Sequence, residues 1–148
     1  MMVQAKEMAR KHLEELLQSR ATLQYSFEKC HVLTIEPGMT FEELDAFEAL
    51  TSRFARTSDL IIQKAFRTID LIELEQDGTV RDRILRAEKR GLIQDPDLFM
   101  EIRLLRNVIA HEYRSETILE IFERVLSFTP HVISCIDALE FWLQDRLK

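Results

Sequence analysis

The chain has 148 residues, 46% hydrophobic and 31% charged, with three each of Gly and Pro and a formal net charge of −6. One domain of this length buries a core without staples; its apolar content excludes wholesale disorder, and its scarce turn residues argue against a many-stranded β fold. No apolar run approaches the ~18 residues of a membrane span, and no charged-then-apolar start resembles a signal peptide. The expectation is a cytoplasmic protein without a membrane segment, too acidic to coat itself broadly in nucleic acid.

Helical periodicity runs through almost the whole sequence. From about 4 to 29, Met8, Leu13, Leu16, Leu17, Leu23 and Phe27 recur at helical spacing. Residues 31 to 38, ending in Pro37-Gly38, read as a connector and turn. Thr40 and Glu43 match a capping box that starts a long second helix. Its stripe is Leu44, Phe47, Leu50, Phe54, Ile61, Ala65, Ile69 and Ile72, and Asp77-Gly78 is expected to end it. A short third helix is capped by Thr79 and stopped by Gly91, and Asp95-Pro96 opens a fourth that runs to about Tyr113. The last begins at Ser115 and carries Ile118, Phe122, Val125, Val132, Ile136, Leu139 and Leu143, with a kink or break expected at Pro130. The fold class is therefore all-α: a single domain of about five helices in an up-and-down bundle.

Cys30 and Cys135 are far apart, in no metal-binding or redox spacing, and read as reduced packing residues. His12, His31 and His131 lack polar company and read as surface or packing residues. His111 differs, because it closes the string Leu-Leu-Arg-Asn-Val-Ile-Ala-His-Glu-Tyr at 104 to 113. At about 100° per residue, Leu98, Ile102, Leu105 and Ile109 share the apolar face of this helix. Asn107 and His111 share a face roughly opposite, and Arg106 lies about 140° from His111. The small Ala110 between them leaves room for another chain, so a dimer interface is a natural cover.

Without a metal, this set offers a defined chemistry. Histidine near its usual pKa of about 6.5 is a general base or acid. Arginine presents a fixed cationic fork to phosphate oxygens and to a charged transition state. Asn107 can hydrogen-bond substrate or orient the imidazole. Together they suit attack of an RNA 2′-hydroxyl on the adjacent phosphate. His111-Glu112 is not a zinc-protease start, because Ser115 stands where the second histidine is needed.

Residues 106 to 113 resemble the R-x4-H-x-Y motif of HEPN-domain proteins, particularly HepT-like toxins. The approach Ala87-Glu88-Lys89-Arg90-Gly91-Leu92-Ile93 is also similar to that family, and the likeness extends from about residue 41 to the end. The resemblance implies a metal-independent endoribonuclease toxin without a cofactor, homodimeric, with the two motifs meeting in a cleft at the interface. His111 would be the general base or acid, Arg106 the transition-state stabiliser, and Asn107 a residue that shapes the site. Tyr113 matches the tyrosine to which a partner minimal nucleotidyltransferase, the antitoxin of the pair, attaches AMP. A rival reading keeps the HEPN fold but makes the chain an inactive substrate-binding or docking subunit of such a nucleotidyltransferase. A third treats the string as coincidence in a structural bundle.

The third helix carries Arg81, Arg83, Arg86, Lys89 and Arg90 against Asp82 and Glu88. This is either a solvated face or a patch that grips the RNA backbone beside the cleft. Arg53, Arg56 and Asp59 are candidates to line the same cleft, with Arg56 and Asp59 equally readable as an exposed i,i+3 pair.

Overall fold

Every regular element among the described residues is helical, which places the chain in the all-α class. The computed structural model describes residues 2–75, 77–111 and 117–147.

Helix α1 spans Met2–Cys30. Its inward positions follow two interleaved seven-residue series, Ala5, His12, Ser19, Ser26 and Ala9, Leu16, Leu23, Cys30. That spacing packs side chains in coiled-coil fashion against a neighbour. Met8 and Leu17, expected on the apolar stripe, face outward instead. The seam uses small and polar residues that a hydrophobicity pattern passes over, because close helix approach favours short side chains.

The second rod is three elements end to end: α2 (Phe41–Asp59), a π-helical segment (Leu60–Ala65) and α3 (Phe66–Ile72). The expected capping box is present, with Glu43 N–H donating to Thr40 Oγ1 at 3.1 Å and Thr40 N–H to Glu43 Oε1 at 2.9 Å. In the π-helical segment the Phe66 N–H reaches the Ile61 carbonyl, five residues back. Thr57, Ser58, Ile61, Ile62, Ala65, Phe66, Thr68, Ile69 and Asp70 are all buried, so the rod is enclosed on several sides here. It ends earlier than Asp77-Gly78. Glu75 N–H bonds the Asp70 carbonyl at 2.8 Å and Leu74 N–H the Leu71 carbonyl at 3.2 Å, a Schellman closure with Leu74 at φ +59°.

Helix α4 (Val80–Lys89) has the expected Thr79 cap, reinforced by Asp82, and Gly91 at φ +77° supplies the left-handed residue that stops it. Helix α5 (Pro96–His111) starts where Asp95 Oδ1 accepts the Leu98 N–H at 3.2 Å. Helix α6 (Ile118–Arg146) runs unbroken through Pro130. Pro130 sits on the exposed side, so the carbonyl of Leu126 that loses its N–H partner can turn to water. Of the kink or break expected there, the break does not occur.

Cross-contacts give the helix directions. Ser19 pairs with Thr57 and Ser26 with Arg53, so α1 and the second rod are antiparallel. Asp59 meets Arg106 and Phe66 meets Phe99, which makes α5 antiparallel to that rod. Arg20 meets Asp137 and Arg10 the Leu147 carbonyl, which makes α6 antiparallel to α1. The four long rods thus run up, down, up and down, with α4 inserted at one turn. Phe47 stacks on Phe122 at 5.0 Å in the centre of the core. No helix among the described residues is long and apolar enough to cross a membrane.

Candidate functional site

Helix α5 is positioned by Phe99, Ile102 and Leu105, which are buried against the second rod. With that face fixed, the next positions round the helix, Arg103, Arg106 and Asn107, are turned toward the flank of the rod. There they form one cleft of about 220 Å³ with Ser58, Asp59, Ile62 and Gln63. The floor of the cleft is therefore the start of the π-helical segment and the turn just before it. Such segments occur disproportionately at functional sites because they displace side chains from regular helical register.

Arg106 Nε lies 2.7 Å from Asp59 Oδ1, with both side chains about a third exposed. The Nε is shielded from water but not aligned for a hydrogen bond, so the contact is an ion pair. Of the two readings open for Asp59, lining the cleft and pairing with Arg56 three residues before it, the structure has the first. The Asp59 carboxylate is paired with α5, and Arg56 is exposed. Arg56 does join Asp59, Gln63, Lys64 and Arg106 around a shallower groove that adjoins the cleft. Arg53 lies outside both, donating to Ser26 Oγ at 2.5 Å.

His111 is the last residue of α5 and is exposed. It stands one turn beyond Asn107, on the same face, and does not line the cleft. Within one chain, then, Arg106 and Asn107 share a cavity and His111 stands apart from it. Tyr113 and Glu112 lie outside the described residues.

The basic helix is the largest departure from expectation. Asp70, 1% exposed, receives Arg86 Nη2 at 2.8 Å and Arg90 Nη1 at 2.6 Å, with Arg83 Nε at 3.9 Å. Hydrogen bonds from both Nε and Nη2 make the Arg86 contact bidentate and raise its pKa above the usual arginine value. A fully buried carboxylate is tolerable only when so paired. Arg83, Arg86 and Arg90 are thus drawn toward the interior, and of the five candidate RNA-contacting residues only Arg81 and Lys89 are exposed.

No protein-family model matches this chain, and no curated protein does.

Sequence reasoning missed Arg103, Gln63 and Ser58 as lining residues, and Asp70 as the organiser of α4. The signal for Asp70 was available: an acidic residue next to Ile69 and Leu71, inside an apolar stripe, needs a buried cation. For Asp59 no local signal exists, because its partner is 47 positions away. Cys30 and Cys135 are both buried, and burial pushes both thiols above their usual pKa. Among the described residues no His, Cys, Asp or Glu cluster has a metal-holding arrangement. What the cleft offers is a cationic and amide lining on one wall, a carboxylate on the other, and an exposed imidazole a turn away.

Proposed function

We propose that this protein is a HepT-like HEPN endoribonuclease, the toxin of a toxin–antitoxin pair. The observation that carries the reading is the shared opening of Arg106 and Asn107 in one cleft, with His111 exposed one turn further along the same helix. The cavity has a fork for phosphate oxygens and an amide for the sugar or the phosphate. The imidazole is exposed to solvent.

The reaction is transesterification. His111 removes the proton from a ribose 2′-hydroxyl, whose oxygen attacks the neighbouring phosphorus. The P–O5′ bond breaks, a proton is delivered to the leaving 5′-oxygen, and a 2′,3′-cyclic phosphate remains. Arg106 stabilises the charge that accumulates on the phosphoryl oxygens, and Asn107 orients the strand. The incoming phosphate replaces Asp59 as the anion beside Arg106. Because Arg106 and His111 point about 140° apart round α5, a second copy of the chain supplies the complementary half of the site. A minimal nucleotidyltransferase antitoxin attaches AMP to Tyr113, seven residues after Arg106 in the sequence. The added phosphate then competes for the arginine.

The Asp59–Arg106 pair favours a second reading: an arginine already neutralised suits an inactive docking subunit of the same nucleotidyltransferase. Expression of wild type beside His111→Ala and Arg106→Ala separates the two. RNA cleavage in EDTA and growth arrest by wild type alone are expected. Identical behaviour of all three chains would leave the docking role. Intact mass after co-expression with the partner should rise by whole AMP units, with no rise in Tyr113→Phe.

A further inference from the structure

Three arginines approach the buried Asp70, and the only second carboxylate paired with them among the described residues, the exposed Glu75, reaches Arg90 at 3.8 Å and not Arg83. Asp70 supplies one carboxylate, and Arg86 and Arg90 occupy it. Arg83 is left at 3.9 Å, its Nε buried with no hydrogen-bond partner. Its other anchor is a long contact of 3.4 Å from Nη1 to the carbonyl oxygen of Ile62, in the π-helical segment. Ile62 also lines the cleft with Arg103 and Arg106. The least neutralised of the three arginines at Asp70 and two arginines of α5 therefore meet the same short piece of the second rod. Arg67 is exposed and near enough for its charge to act on Arg83, which puts that cation at the edge of the same group. The electrostatics agree with the geometry. Burial lowers the pKa of Arg83, and against the pull of Asp70 the charges of Arg67, Arg86 and Arg103 lower it further. A half-buried excess of positive charge is unfavourable until an anion arrives.

We propose that Arg103, with Arg67 beside it and Arg83 behind, seats a phosphodiester of the bound RNA strand, next along the backbone from the phosphate at Arg106. The inference rests on the ribonuclease reading and deepens it. Arg103 stands one turn before Arg106, about 4.5 Å along the helix axis. The strand then tracks along α5 and over the π-helical segment, not across the outer face of α4 where Arg81 and Lys89 project.

The test is binding of a fluorescein-labelled single-stranded RNA oligonucleotide by anisotropy, in a His111→Ala background that prevents turnover, across a salt series. Arg103→Gln and Arg67→Gln are each expected to weaken binding roughly 3- to 10-fold and to flatten the salt slope by about 0.7. Lys29→Gln, an exposed cation at the end of α1, is expected to change neither. Arg67 is exposed, so its variant stays informative if Arg103→Gln fails a circular dichroism check of folding. Cleavage by wild type together with binding indifferent to Arg67 and Arg103 would overturn the track and leave the nuclease. Loss of binding confined to an Arg81→Gln/Lys89→Gln pair would overturn it as well. The expected binding pattern with no cleavage would uphold the track and overturn the nuclease. Absence of any RNA binding would overturn both.

Discussion

Asp70 carries one negative charge into the interior and meets three guanidinium groups there. Removing that charge leaves buried cations without a partner, which costs more than any exposed pair. Asp70→Asn should lower stability by about 3–5 kcal/mol, read as a fall in the urea midpoint at unchanged slope; a change below about 1 kcal/mol would place the pair with solvent-screened surface bridges. His12 supplies a pH dependence. Burial, more than the opposing charge of Glu15, holds its pKa below the ordinary 6.5, and Thr68 Oγ1 lies 3.1 Å from Nδ1. The unfolded chain therefore binds a proton more readily than the folded one. This contribution to stability is full above about pH 6.5 and is lost as pH falls toward the folded pKa. Melting temperature should decline between pH 7 and about 5.5, and the decline should be shallower in His12→Asn. Both cysteines should resist alkylation in the native protein and react on unfolding, because buried thiols keep their protons. At this scale the sequence made the placement of Arg106, Asn107 and His111 on one helix legible, since that relation is local, but not that His111 would stand apart from the cleft. The Asp59 pair was not legible, since tertiary packing alone brings Arg106 near; Asp70 signalled a buried cation, but not which arginines would supply it.

Elements follow the same division. The Thr40–Glu43 capping box, the Thr79 cap, the Asp95-Pro96 start and the Gly91 stop were readable because a cap is decided within four or five residues. The end of the second rod was not, because a leucine holds the left-handed position that sequence rules reserve for glycine. Leu74 is 75% exposed at φ +59°, so its side chain contributes little packing there. Leu74→Gly should raise stability by roughly 0.5–1 kcal/mol, measured by denaturant titration, as left-handed strain is relieved and chain entropy takes back part of the gain. Pro130 is the converse case. Its ring is tolerated because it faces outward, but it still removes one helical hydrogen bond. Pro130→Ala should stabilise by about 1–3 kcal/mol; a loss instead would show that the Pro130 ring adds more to α6 than the missing hydrogen bond takes away.

Across the whole molecule, helix number and class followed from period and scarce turn residues, and the up-and-down order from short connections. The net charge of −6 is compatible with an RNA enzyme when its arginines converge on one cleft and the rest of the surface stays acidic. A site shared between two copies has a distinctive assay. Neither Arg106→Ala nor His111→Ala should cleave RNA alone. If each site takes Arg106 from one copy and His111 from the other, mixed dimers keep one site intact. Co-refolded mixtures should then recover up to about a quarter of wild-type activity, half the molecules being mixed and each carrying half the sites. No recovery would put both residues of a site on one chain.

The π-helical segment sets the rotational phase of everything that follows it. One surplus residue turns Phe66–Ile72 by about 100° relative to a regular continuation. One half of a single rod can therefore present Phe47 and Phe54 to the core while the other presents Asp70 to α4. Deleting Gln63, an exposed residue, would return the rod to even pitch and rotate Asp70 away from Arg86 and Arg90. The cleft and the arginine clasp are thus set by the same single-residue insertion, and neither can shift register without the other.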